Sequence, residues 1–104
     1  MDRIAMLEET LKTQPNEPFI RYALAMEYSN AGQSDKAREH FDYLLKQHPK
    51  YGATYFQAGA FLVRQGQCQQ AREILERGIE VAREQGNSNA QDELEAALRD
   101  LMGS

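Results

Sequence analysis

The chain has 104 residues, of which 27% are charged, and a formal net charge of −4. That is one domain's length of mildly acidic chain with no Lys/Arg block, which argues against nucleic acid or an anionic membrane as partner, since both require concentrated basic charge. No apolar run approaches membrane-spanning length, Met1-Asp2-Arg3-Ile4 lacks a signal-peptide layout, and the single cysteine allows no internal disulfide, so a cytoplasmic setting is expected.

Six helical segments are expected and no strand, because period-two alternation is never sustained and Pro and Gly fall at regular punctuation points. The first spans residues 2–13, with Ile4, Leu7 and Leu11 at helical spacing opposite Glu8, Glu9 and Lys12. Gln14-Pro15-Asn16 ends it, and Asn16 is expected to cap the second. That helix opens at Pro18, whose missing N–H has no helical partner to lose, and runs to Asn30. Gly32 closes it with a left-handed end. Ser34 is expected to cap the third, which carries Ala37, Phe41, Leu44 and Leu45 and stops at His48-Pro49. The fourth covers residues 53–65 before Gly66, and the fifth residues 69–84 before Gly86. The sixth, 88–102, opens with Ser88-Asn89-Ala90-Gln91, which has capping-box spacing. Its stripe of Ala90, Leu94, Ala97, Leu98 and Leu101 backs a charged side of Asp92, Glu93, Glu95, Arg99 and Asp100, the layout of a terminal cap. The terminal Gly103-Ser104 carries no weight in this reading.

A shift of 34 residues lays the chain on itself. Ala25 meets Gly59, Tyr28 meets Leu62, Gly32-Gln33 meets Gly66-Gln67, and Ala37-Arg38-Glu39 meets Ala71-Arg72-Glu73. Phe41 then meets Leu75, and Leu45 meets Ile79. A period of this length, with small and large apolar residues at fixed offsets, signals stacked helix-turn-helix units. The small residues Ala25, Ala37, Gly59 and Ala71 let helices approach, while Tyr28, Phe41, Leu62 and Leu75 fill the space between them.

These residues resemble the tetratricopeptide repeat. One copy, 18–51, supplies Leu24-Ala25, Tyr28, Ala37, Phe41 and Pro49; the next, 52–85, supplies Tyr55, Ala58-Gly59, Leu62, Ala71, Leu75 and Gly78. Three positions depart from the pattern: Arg21 where a large apolar residue is usual, Leu44 where a small one is usual, and Arg83 where the closing Pro is usual. Residues 2–15 align with 36–49 and resemble the second half of an incomplete repeat. The resemblance implies an all-α fold, a right-handed α-α superhelix in a single domain over 1–104: half repeat 2–15, repeats 18–51 and 52–85, and capping helix 88–102.

Chemistry has little to build on. His40 and His48 are eight apart with no third ligand, so no metal is expected, and the ordinary reading is a solvated His40 and a His48 near the carbonyls of a helix end. Cys68 falls at a helix start, by offset the position of Ser34, but no base is readable beside it. Glu8-Glu9 and Asp92-Glu93 are adjacent and so do not share a helix face. No phosphate loop, dinucleotide fingerprint or calcium loop is present. Neither an enzyme nor a cofactor is expected.

The resemblance implies that the first helix of each repeat lines a concave groove. The positions are Phe19, Tyr22, Met26, Ser29 and Asn30 in one repeat, and Ala53, Phe56, Ala60, Val63 and Arg64 in the next. A subclass of the family that binds chaperone carboxylate tails carries Lys and Asn at the second and third of these positions. Tyr22 and Met26, then Phe56 and Ala60, stand there instead, so chaperone-tail binding is not expected. Aromatic residues and Met are enriched at protein-binding surfaces. The expected function is therefore a non-catalytic adaptor or scaffold that holds a peptide or helix of another protein in an apolar groove. The alternatives are a self-associating, homodimeric scaffold, or terminal helices folded over the strip so that Tyr22 and Phe56 become core.

Overall fold

Six helices form over residues 2–103, the part of the chain described by the structure, a computed structural model. They are α1 (Arg3–Thr13), α2 (Pro18–Asn30), α3 (Ser34–Gln47), α4 (Ala53–Arg64), α5 (Cys68–Glu84) and α6 (Ser88–Gly103). No strand occurs among the described residues, and Ser104 lies outside them. No helix is long and apolar enough to cross a membrane among the described residues. Two compact units divide the chain, one up to Tyr51 holding α1 to α3 and the other from Gly52 holding α4 to α6.

The helix ends follow one rule three times. Gly32, Gly66 and Gly86 adopt φ of +78°, +77° and +67°. The residue after each glycine donates its N–H back across the end: Gln33 to the Tyr28 carbonyl, Gln67 to Leu62 and Asn87 to Ala82, each at 2.9 Å. Each glycine N–H reaches the carbonyl three residues back, completing the Schellman pattern that satisfies otherwise orphaned carbonyls.

This geometry corrects the expected N-caps. The residue after the glycine already spends its N–H on the helix behind, and its carbonyl opens the helix ahead. Gln33 accepts from Ala37 N–H at 3.1 Å, so Ser34 is the first helical residue and not the cap. Asn87 accepts from Gln91 N–H on its carbonyl at 3.0 Å and from Ala90 N–H on Oδ1 at 3.1 Å, so Asn87 caps α6 in place of Ser88. At α2 the cap is Glu17 rather than Asn16. Its carboxylate accepts from Phe19 N–H at 3.3 Å, because Pro18 holds the residue before it out of helical conformation. Asp2 caps α1 through a 2.8 Å bond from Ala5 N–H.

In the first unit α2 packs on α1 and α3, burying Ile20, Leu24, Ala25 and Tyr28 against Ala37, Phe41 and Leu44. Ile4, Leu7 and Leu11 of α1 are half-buried. In the second unit α5 packs between α4 and α6, around Tyr55, Phe61, Leu62, Ala71, Ile74, Leu75, Ile79 and Leu94. Along α6 only Leu94 is fully buried, and Glu95, expected to face water, is half-buried and accepts from Gln91 at 3.4 Å. Two glycines lie at close helix contacts, where an added Cβ would meet a movable side-chain end at Gly59 but a fixed Cβ at Gly78. A Cβ on Gly59 would lie 2.7 Å from Leu75 Cδ2, and one on Gly78 would lie 2.4 Å from Tyr55 Cβ. With Arg83 in place of a closing Pro, α5 runs on to Glu84, whereas Pro49 stops α3 at Gln47. Arg83 pairs with Glu80 on the extra turn.

Candidate functional site

The outward strip of α2 follows from helical spacing: Phe19, Tyr22 and Met26 recur at three and four residues and share one face. Phe19 is 51% exposed, while Tyr22 and Met26 are half-buried. The Phe19 and Tyr22 rings stand 6.4 Å apart, and Tyr22 meets Tyr51 edge-on at 6.0 Å. The result is three successive aromatic rings at spacings typical of favourable ring pairs. Ser29 is half-buried and Asn30 exposed at the far end of the strip. The repeat offset does not mark Tyr51, because its counterparts are Glu17 and Gln85; only its place after Pro49-Lys50 brings it to Tyr22. Burial raises the Tyr51 hydroxyl pKa above 10, with Tyr22 and Glu17 adding to it, so the ring stays neutral.

On α4, Phe56, Ala60 and Val63 share a face by the same spacing. Phe56 and Val63 are 37% and 42% exposed, Ala60 is half-buried, and Ala53 and Arg64 are exposed. Three of the large apolar side chains left open to solvent therefore lie at the sequence-derived positions. Each strip stands within its own unit, one on α2 and one on α4.

Behind the α2 strip lies a polar cluster that spacing alone does not assemble. His40 is buried, which corrects the expectation that it is solvated. Its ring stacks on Tyr28 with centroids 5.7 Å apart and planes 5° from parallel. Arg21 Nη1 lies 3.4 Å from His40 Nδ1, and the Arg21 guanidinium covers the Tyr43 ring at 3.6 Å. Glu8 Oε1 of α1 is 3.9 Å from His40 Nε2. Burial, then Arg21, pulls the His40 pKa below 6.5 despite the opposing pull of Glu8 and Glu39, with Lys36 lowering it slightly further.

This cluster explains why Arg21 departs from the repeat pattern. Arg21 and Tyr43 align by the offset with Tyr55 and Arg77. In the second unit Arg77 stands over the Tyr55 ring at 5.8 Å. Both units thus pair a cation with an aromatic ring across the same two helix positions, with the partners exchanged. Leu44 and Gly78 exchange alongside them. Tyr55 needs the room that Gly78 leaves, whereas the long Arg21 side chain turns off to His40 and Tyr43 and admits Leu44. The signal was present in the sequence, as an Arg/Tyr pair inverted at one offset.

His48 sits at the end of α3, donating its backbone N–H to Leu44 at 2.8 Å, with its ring 6.2 Å from Tyr43. Cys68 is exposed at the first residue of α5. Among the described residues no group of three or more His, Cys, Asp or Glu is placed to hold a metal ion.

Sequence profiles of the tetratricopeptide repeat match residues 30–98 and, separately, 6–39. A TPR repeat-containing protein of Pseudomonas aeruginosa is 30% identical over 95 residues, covering 91% of this chain and 90% of its own length. The small glutamine-rich tetratricopeptide repeat-containing protein 2 of Mycosarcoma maydis is 32% identical over 73 residues, of which this chain spans about a fifth of the length (21%). Among solved structures, a tetratricopeptide repeat domain protein from Salinibacter ruber superposes with a TM-score of 0.82 at 35% identity, covering 86% of this chain and 90% of that one. A protein from Bordetella parapertussis superposes at 0.83 with 27% identity, covering 98% and 89%. With the repeat profile covering more than half of its length and the 34-residue offset visible in its helices, caps and cores, this chain belongs to the tetratricopeptide repeat family.

Proposed function

We propose that this chain is a non-catalytic protein-binding module whose α2 and α4 strips take apolar side chains from a peptide or helix of a partner protein. The observation that carries the reading is the exposure of Phe19, Phe56 and Val63 at repeat-equivalent faces of the first helix of each repeat. Exposed aromatic and aliphatic side chains gathered on one helix face, rather than scattered singly, are characteristic of protein–protein contact surfaces. Tetratricopeptide repeats are in general protein–protein interaction modules, which fits such a role. Tyr22 and Met26 form the half-buried floor beside Phe19, and Asn30 and Arg64 supply polar contacts at the ends. Lys and Asn of a carboxylate clamp are absent from the second and third strip positions, so the partner is bound by apolar side chains rather than by its C-terminal carboxylate.

The test is affinity capture from lysate with the parent chain and with a Phe19→Ala/Phe56→Ala variant. Both rings are partly solvent-exposed, so the variant is expected to keep its helical circular dichroism and melting temperature. A protein retained by the parent and lost by the folded variant supports the reading. Equal capture by both overturns it. A parent that sediments as a dimer and a variant that sediments as a monomer would assign the same strips to self-association.

A further inference from the structure

We propose that His40 is a proton-operated switch that holds Arg21 when neutral and exchanges it for Glu8 when protonated. The inference is independent of the strip-binding reading. It begins with hydrogen-bond valence. A guanidinium only donates, so Arg21 Nη1 at 3.4 Å requires His40 Nδ1 to be the unprotonated, accepting nitrogen. The ring proton then sits on Nε2, the nitrogen facing Glu8 Oε1 at 3.9 Å. That distance is too long for a hydrogen bond. Glu8 Oε1 is shielded from water with no partner at hydrogen-bonding geometry, and the Tyr28 hydroxyl is the other group that engages the Glu8 carboxylate. A buried carboxylate oxygen is thus waiting opposite an N–H that has not closed on it.

Adding a proton to His40 changes both contacts in opposite senses. A second N–H on Nδ1 faces the Arg21 N–H, so an acceptor becomes a donor and a cation meets a cation in a site with little water to screen them. On the other side, the imidazolium gains a charged partner in Glu8, and closing that gap satisfies the open oxygen. Arg21 leaves Nδ1 while keeping the Tyr43 ring beneath it as an alternative seat, and the contact between α2 and α3 is traded for one between α1 and α3.

The groups facing His40 are Glu8 from α1, Arg21 and the Tyr28 ring from α2, and Lys36 and Glu39 on its own helix. Burial and Arg21 outweigh the two carboxylates, so the neutral form prevails at neutral pH. With the folded pKa depressed, the stability conferred by the neutral ring is present above pH 6.5 and is lost as pH falls through the folded pKa.

The test is an imidazole and guanidinium nitrogen NMR titration of the full chain, with His40→Gln assigning the His40 signals. Expected are an Nε2–H tautomer at neutral pH, a His40 midpoint below 6.5, and an Arg21 guanidinium shift that follows the same midpoint. Arg21→Met should raise the midpoint and Glu8→Gln should lower it further; both side chains are partly exposed, and an unchanged amide spectrum verifies folding. An Nδ1–H tautomer, a midpoint at or above 6.5, or an Arg21 signal that ignores the His40 titration overturns the proposal. So does a midpoint that Arg21→Met leaves in place.

Discussion

Replacing Gly78 by Ala adds one methyl group, and the structure says where it goes. Its Cβ would lie 2.4 Å from Tyr55 Cβ, 2.9 Å from Tyr55 Cγ and 3.2 Å from Leu94 Cδ1. Ordinary carbon contacts are about 3.5–4.0 Å, so a gap of more than 1 Å must be opened. Tyr55 Cβ is fixed to the backbone of α4 and no rotamer moves it, so the two helices must separate or slide. Overpacking of this kind costs about 1–3 kcal/mol, offset by about 1 kcal/mol of improved helix propensity on replacing Gly by Ala. The net expectation is a loss of up to about 2 kcal/mol, or a melting temperature lower by up to roughly 16 °C at this chain length. Gly59→Ala is the control, since its nearest obstacle at 2.7 Å is the terminal Cδ2 of Leu75, a side-chain end that can rotate. Thermal unfolding followed by circular dichroism measures both. The reasoning fails if Gly78→Ala melts at or above the parent temperature, or if Gly59→Ala is the more damaging of the two.

Two further substitutions test local assignments. Asn87→Ala removes the Oδ1 that accepts from Ala90 N–H and should destabilise by about 1 kcal/mol, whereas Ser88→Ala should stay within about 0.5 kcal/mol; urea denaturation of the pair decides which residue is the cap. Tyr43→Leu removes the ring under the Arg21 guanidinium and should cost roughly 0.5–1 kcal/mol, with the loss vanishing in an Arg21→Met background; a double-mutant cycle reads the coupling directly.

The inverted Arg/Tyr pair shows how one repeat pattern accommodates two chemistries. Where the second unit places a large ring at Tyr55, it deletes the facing side chain at Gly78. Where the first unit places Arg21, it keeps Leu44 and turns the guanidinium onto Tyr43. The departures from the family pattern at Arg21 and Leu44 are therefore one compensated change rather than two defects.

Local signals in the sequence determined the helices, their stops and the outward strips. Gly32, Gly66 and Gly86 mark left-handed ends because the backbone there has positive φ, and 3.6-residue periodicity places Phe19, Tyr22 and Met26 on one face and Phe56, Ala60 and Val63 on another. The N-caps slipped by one residue at α3 and α6 because the hydrogen bonds of the preceding glycine turn fix which residue must serve, and at α2 because Pro18 holds Glu17 out of helical conformation. Only tertiary structure decided the state of His40. Its spacing from His48 says nothing of Arg21, Glu8 and Tyr28, which come from two other helices, and it is their packing that removes water from the ring and sets its pKa. The exposure of Phe56 and the recruitment of Tyr51 to the α2 strip were likewise set by packing, because burial depends on which neighbours arrive and not on the residue's own place in the repeat.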